Sequence, residues 1–264
     1  MRTGPAETTP AARPALPGRR AELELLEREL ARARDGEARF IVLVGEAGVG
    51  KTRLLREAAR RSDMVALGLH LPPERLGPED LIEGWLAPLL RQRRRLAEPR
   101  DLYLAAAAYP RLADFHPVAG AAPAAPPPPV RALAAVARLL AHAAERQALL
   151  LLADDLPRYG PEVRALIAEL AAALAGARVA FLATARLESG DPLDDRALRP
   201  LVEHHLLRRI EVRPLDEAGL GELVAAELDP GIAPSLLPWL HAKSRGNALF
   251  AVELIRALQG QGIL

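Results

Sequence analysis

The sequence predicts an α/β fold, a three-layer sandwich with a parallel β-sheet between helices, followed by a small all-helical lid subdomain. Three observations predict it. Short apolar runs alternate with stretches of helical periodicity, the order that produces parallel strands joined by crossover helices. A glycine-rich turn joins the first of these runs to a helix. After Pro214 the chain carries helix formers and no further strand pattern.

The elements follow in order. Residues 1–17 are rich in Pro, Ala and Thr, lack an apolar stretch, and are expected to be a disordered tail and not a secretory signal. Gly18 opens the α/β core, expected over 18–213. Residues 21–34 set Leu23, Leu25, Leu26 and Leu30 on one helical stripe, and Asp35-Gly36 ends it. Residues 40–44 are apolar and rich in β-branched side chains, as in a buried strand. A helix follows from Arg53 onward. Residues 64–71 read as a second strand, stopped by Pro72-Pro73, and 79–90 as a helix with Leu81, Ile82, Trp85, Leu86 and Leu89 inward. Within 105–129, the Ala-only and Ala/Pro stretches predict an exposed connection, with Pro126 to Pro129 favouring polyproline II. Helix returns over 130–147. Strands are expected over 148–153, 178–184 and 207–212, with helices over 161–175 and 198–205 between them. Residues 214–264 hold the lid, three helices over 216–228, 234–243 and 247–259. Asp216 and Asn247 suit their N-caps, and Gly246 suits the end of the middle helix.

Composition removes several function classes. Half of the 264 residues are hydrophobic, but only 3% are aromatic, so the core is mainly Ala and Leu. A net charge of +1 gives no electrostatic case for nucleic acid or an acidic membrane. The run Arg91-Gln92-Arg93-Arg94-Arg95 lacks interleaved aromatics and reads as a solvated helix end, so no direct nucleic-acid binding is expected. The absence of cysteine excludes disulfides and Cys-ligated metals and suits the cytoplasm, where the chain is expected to reside. His204 and His205 are adjacent and point apart in regular structure. No apolar run reaches the roughly 18 residues of a membrane helix without charge or Pro.

The chemistry begins at Gly45-Glu46-Ala47-Gly48-Val49-Gly50-Lys51-Thr52, the phosphate-binding loop pattern of the P-loop NTPases. Its place between strand and helix is the one its mechanism requires. The glycines let backbone N–H groups turn inward at phosphate oxygens, and the helix adds its positive end. Lys51 is expected at the β- and γ-phosphates and the Thr52 hydroxyl at Mg²⁺. Four leucines then lead into Asp154-Asp155. A buried strand of this kind sets Asp154 at its carboxyl end, where open α/β sheets bind ligands, and Asp154 is expected in the Mg²⁺ shell. Asp155 is expected to orient or deprotonate the attacking water. Thr184-Ala185-Arg186 closes the fourth strand, where Arg186 is expected to contact the γ-phosphate.

These residues, with Ser244-Arg245-Gly246-Asn247-Ala248-Leu249-Phe250, resemble the ATPase module of the signal-transduction ATPases with numerous domains, the STAND class of AAA+-like P-loop proteins. More narrowly, they resemble the module of large LuxR-type transcription regulators and of some bacterial cyclase and kinase sensors. The opening Leu16-Pro17-Gly18-Arg19-Arg20-Ala21-Glu22-Leu23 is similar to the family's element beside the adenine, and by that resemblance Arg19 is a nucleotide contact. The sequence departs from the family at Arg20, where Glu is usual, and at Ala248, where Pro is usual. It also departs at Pro157-Arg158-Tyr159-Gly160, where Gln-Trp-Ala-Asp is usual.

The resemblance implies a switch, binding ATP or ADP with Mg²⁺ between core and lid and hydrolysing ATP slowly, within signal transduction or transcription regulation. Sensor and DNA-binding domains, or protein partners, are expected outside this chain. Two alternatives stay open. One is an oligomeric AAA+ ATPase with ring-dependent turnover, for which Arg196, Arg199, Arg208 and Arg209 are available as the neighbour's arginine. The other is a non-hydrolysing nucleotide-binding interaction module.

Overall fold

The computed structural model describes residues 16–68, 77–92, 99–115, 127–187, 194–228 and 233–263. The described residues fold as two compact units, one within 21–214 and one that joins residues 16–20 with those from 215 onward.

The larger unit is built on a five-stranded, wholly parallel sheet, β1 (Arg39–Gly45), β2 (Val65–Leu67), β3 (Leu149–Ala153), β4 (Val179–Arg186) and β5 (Leu207–Glu211), in the order β2-β3-β4-β1-β5. Around it run α1 (Arg20–Arg34), α2 (Lys51–Arg61), α3 (Pro78–Gln92), α4 (Pro99–Ala108), α5 (Pro129–Arg146), α6 (Pro161–Ala173) and α7 (Arg199–Glu203). β1, β3 and β4 are apolar without alternation because both faces of the sheet are covered. Phe40, Val42 and Val44 face a core shared with α3, α4, α5 and α6, where Phe40 stacks on Phe181 and Trp85 meets Phe181 edge-on. Ile41 and Leu43, on the opposite face, are equally buried, as are Leu54, Leu55 and Ala58 of α2, which packs on β1 and β4. Arg39 pairs with Glu29 at 3.3 Å and ties the start of β1 to α1.

The predicted sandwich is therefore present, with differences that have physical reasons. Ala105 to Ala108, grouped by composition with the connection, end α4. Ala is the best helix former, and Ala105 is wholly buried where α4 runs along α5. Arg138 on α5 clamps Asp101 on α4 with two nitrogens, the closest contact 2.6 Å. A 3-10 turn, Pro110–Asp114, follows. Pro128 is extended at φ −53° and ψ 143°, and Pro129 takes the first helical position of α5, where a missing N–H costs nothing. β4 runs on through Arg186, beyond the expected 178–184. The remainder of the expected second strand (69–71), most of the connection, Arg93 to Arg95 and tail residues 1–15 lie outside the described residues.

The second unit holds α8 (Glu217–Glu227), α9 (Ala233–Ser244) and α10 (Ala248–Gly260) around Leu215, Leu220, Leu223, Val224, Leu240, Ala251 and Ile255. Asp216 caps α8 by accepting from Gly219 N at 2.7 Å, and Asn247 caps α10 by accepting from Phe250 N at 3.2 Å. Leu16 and Pro17, assigned by composition to the disordered tail, are buried, and Leu16 O accepts from Arg19 N at 3.2 Å. Gly18 N donates to Glu222 Oε2 on α8 at 2.7 Å.

Candidate functional site

The expected phosphate-loop residues span the turn from the end of β1 at Gly45 to the start of α2 at Lys51. Gly50 sits there at φ +107°, a left-handed conformation that glycine adopts without cost. It caps α2 with no side chain, and the first turn of α2 carries no acid, an arrangement that suits an anion at the helix start. Lys51 is buried, and its Nζ donates to Gly45 O at 2.9 Å and Glu46 O at 2.7 Å. The ammonium is thus folded over the mouth of its own loop.

The acids come from β3, which is not a neighbour of β1 because β4 lies between them. Thr184 on β4 fills that gap. Its buried hydroxyl donates to Asp154 Oδ1 at 2.6 Å and accepts from Asp155 N at 2.7 Å. The Thr52 hydroxyl, on the first turn of α2, donates to the same Asp154 oxygen at 3.0 Å. Two hydroxyls, one from α2 and one from β4, therefore converge on one carboxylate oxygen at the end of β3. Thr52 and Asp154 offer hard oxygen donors of the kind Mg²⁺ prefers. Among the described residues no group of three or more His, Cys, Asp or Glu comes together that could hold a metal ion on its own.

Asp155 leaves the strand at φ 58° and ψ 52°, the left-handed conformation that Asp tolerates better than most residues, and opens a 3-10 turn, Leu156–Arg158. Its Oδ2 accepts from an Arg186 guanidinium nitrogen at 3.1 Å, and Arg158 approaches to 3.8 Å. Arg186 is the last residue of β4 and stands in register with Gly45, the first residue of the loop. Beside them lies Tyr159, 1% exposed, whose hydroxyl has no hydrogen-bond partner among the described residues. Burial, and then the nearby charges of Asp154 and Asp155, push its phenol well above the ordinary tyrosine range, so it stays protonated. Arg158 and Tyr159 entered the sequence reading only as departures from a family pattern. The available signal was an aromatic just after the acid pair in a chain with 3% aromatics.

A model of the AAA ATPase domain matches residues 15–182, more than half of the chain. The chain belongs to the AAA ATPase family. Among solved structures this AAA ATPase is similar to Cdc6p from Pyrobaculum aerophilum, at 17% identity and a TM-score of 0.60, covering 96% of this chain and 65% of that one. That likeness identifies the fold as the P-loop NTPase fold, with a helical region after the sheet. A STAND protein with a tetratricopeptide repeat sensor from Pyrococcus horikoshii matches at 12% identity and a TM-score of 0.49, covering 84% of this chain and 28% of that one. A Walker-type ATPase of Pyrococcus abyssi matches at 17% identity and a TM-score of 0.45, covering 93% and 74%. The chain thus spans less than two thirds of the first two. No curated protein matches it.

Arg19 belongs to the helical unit and is buried there. Arg199, Arg208 and Arg209, named for the ring alternative, lie beside Glu203, Glu29 and Glu211 at 2.8, 4.0 and 3.9 Å. No helix among the described residues is long and apolar enough to cross a membrane.

Proposed function

We propose that this AAA ATPase module is an ATP-operated switch of a signal-transduction or transcription-regulatory protein, binding ATP or ADP with Mg²⁺ and hydrolysing ATP slowly. The observation that carries the reading is the convergence of the Lys51 loop, Thr52, Asp154, Thr184 and Asp155 at the carboxyl ends of β1, β3 and β4. In this reading the backbone of Gly45 to Gly50 and the start of α2 cradle the phosphates. Lys51 exchanges its two carbonyl partners for β- and γ-phosphate oxygens, a stronger, charge-assisted contact. Thr52 and Asp154 would hold Mg²⁺, which would neutralise charge on the phosphates. Arg186 reads the γ-phosphate, and Asp155 orients or deprotonates water. Arg19 is kept as a contact for the nucleoside end, on the strength of the resemblance of its segment. Sensing and output, including DNA binding, belong to other domains or partner proteins, and the cytoplasm is the proposed location.

Lys51→Ala tests the nucleotide site. Charge-assisted contacts are worth about 1.5–3 kcal/mol each, so labelled ATP should bind at least about tenfold more weakly. Equal affinity in two folded proteins would remove the loop from the binding site.

A second reading, a nucleotide-binding module without turnover, is favoured by one observation. Asp155 is paired with Arg186 and so is not poised as a base in this conformation. Phosphate release above a Lys51→Ala control separates the two, because only the switch reading requires it.

A further inference from the structure

The residue proposed to read the γ-phosphate is already held by an anion of the protein's own. Arg186 lies in register with the first residue of the phosphate loop, yet its guanidinium is bonded to Asp155 Oδ2 at 3.1 Å. A carboxylate and a terminal phosphate present the same chemistry to a guanidinium, paired anionic oxygens that accept from its fork of N–H groups. Asp155 is constrained to this role. Its backbone N–H is fixed by Thr184, and its left-handed conformation turns the chain into the Leu156–Arg158 turn. That turn brings a second guanidinium, Arg158, to 3.8 Å from the same carboxylate oxygen.

We propose that Asp155 is an internal competitor for the γ-phosphate. Arg186 pairs with Asp155 when no γ-phosphate is present, and exchanges it for that phosphate when ATP binds. Asp155 is thereby a specificity-determining residue that sets the preference for ATP over ADP. The inference rests on the nucleotide-site reading above and deepens it. ADP lacks the third phosphate and leaves the pair intact, so only ATP meets the cost of breaking it. Arg158 stays beside the carboxylate after the exchange and keeps it from standing unpaired, which makes the exchange reversible on a small energy scale. The same event frees Asp155 from Arg186 only when the γ-phosphate is in place. Recognition of the triphosphate and the passing of Asp155 from Arg186 to Arg158 therefore become one step.

The test is a double-mutant cycle on affinity, read by calorimetry with ADP and with a non-hydrolysable ATP analogue. The proteins are the wild type, Asp155→Asn, Arg186→Gln and the double variant. Asn is chosen because it tolerates the left-handed conformation, and ADP binding in each variant confirms an intact loop. Asp155→Asn should raise the ratio of ATP-analogue to ADP affinity about two- to fivefold, the scale of a partly exposed ion pair. In the Arg186→Gln background the same substitution should leave the ratio unchanged. An equal gain in both backgrounds would mean that Asp155 merely repels the γ-phosphate, and would overturn the exchange. So would no gain in either. If the wild type bound neither nucleotide, the nucleotide-site reading itself would fall, and the exchange with it.

Discussion

Thr184 is one methyl and one hydroxyl on a buried strand, and the geometry of the acid pair depends on the hydroxyl. It gives its proton to Asp154 and its lone pair to the backbone of Asp155, and so fixes two neighbours at once. Thr184→Val keeps the shape and the strand preference while deleting both bonds. The expected loss is about 1–3 kcal/mol, the cost of leaving buried polar groups unmatched, seen as a lower urea midpoint at constant slope. An unchanged midpoint would mean that the hydroxyl does not support the site. At this scale the sequence disclosed whatever is local. Lys51 and Thr52 stand inside a contiguous pattern, and Asp154 follows an unbroken apolar strand. The pairing of Asp155 with Arg186 was not legible, because it depends on β4 ending level with Gly45 and on a turn at Leu156–Arg158 that no spacing rule predicts.

At the scale of elements, α2 carries an acid–base cluster distinct from the site. Glu57 accepts from Arg60 at 2.9 and 2.7 Å and from Arg61 at 2.7 Å, and Arg61 reaches Glu27 on α1 at 3.6 Å. The hydrogen bonds from Arg60 foremost, with the one from Arg61, hold the Glu57 carboxyl at about 2 against an ordinary 4.5, although burial opposes them. A carboxyl with a lowered pKa in the folded state stabilises above its unfolded value and loses that contribution as pH falls through the folded one. The advantage of wild type over Glu57→Gln should therefore be full above pH 4.5 and fade as pH falls toward about 2. Urea midpoints of the two proteins across that range measure it, and parallel curves would refute it. Strands were legible as elements because burial on both faces makes them continuous apolar runs. α4 was not, since four alanines carry no stripe. What makes the segment helical is its burial along α5 and the Arg138–Asp101 clamp, contacts about 37 positions apart in sequence.

For the whole molecule, the sequence disclosed a parallel sheet but not the order β2-β3-β4-β1-β5, which is a matter of pairing between distant runs. Nor did it disclose that residues 16–20 belong with the C-terminal helices. Gly18 carries that association. It has φ +64°, and an added Cβ would lie 2.6 Å from Gly219 Cα and 2.7 Å from Leu215 Cδ2. Gly18→Ala should weaken the helical unit by about 2 kcal/mol or more, through left-handed strain and overpacking, and speed exchange of its amides about thirtyfold. Hydrogen exchange resolved by element checks this. The amides of α8 and α10 should quicken while those of β3 and β4 hold, and a uniform change would mean that the two units do not respond separately.

The bond between Gly18 and Glu222 also sets an order of events at the ribosome. Its partners are 204 positions apart, whereas residues 21–214 form a contiguous unit that is complete before Glu222 is made. At roughly 5–20 residues per second, Gly18 waits on the order of 10–40 s for its acceptor to be synthesised. All of residues 21–214, with the sheet, its phosphate loop and its acid pair, are made within that interval. The helical unit can close only after the sheet's sequence has been made, around a segment synthesised well before its helices.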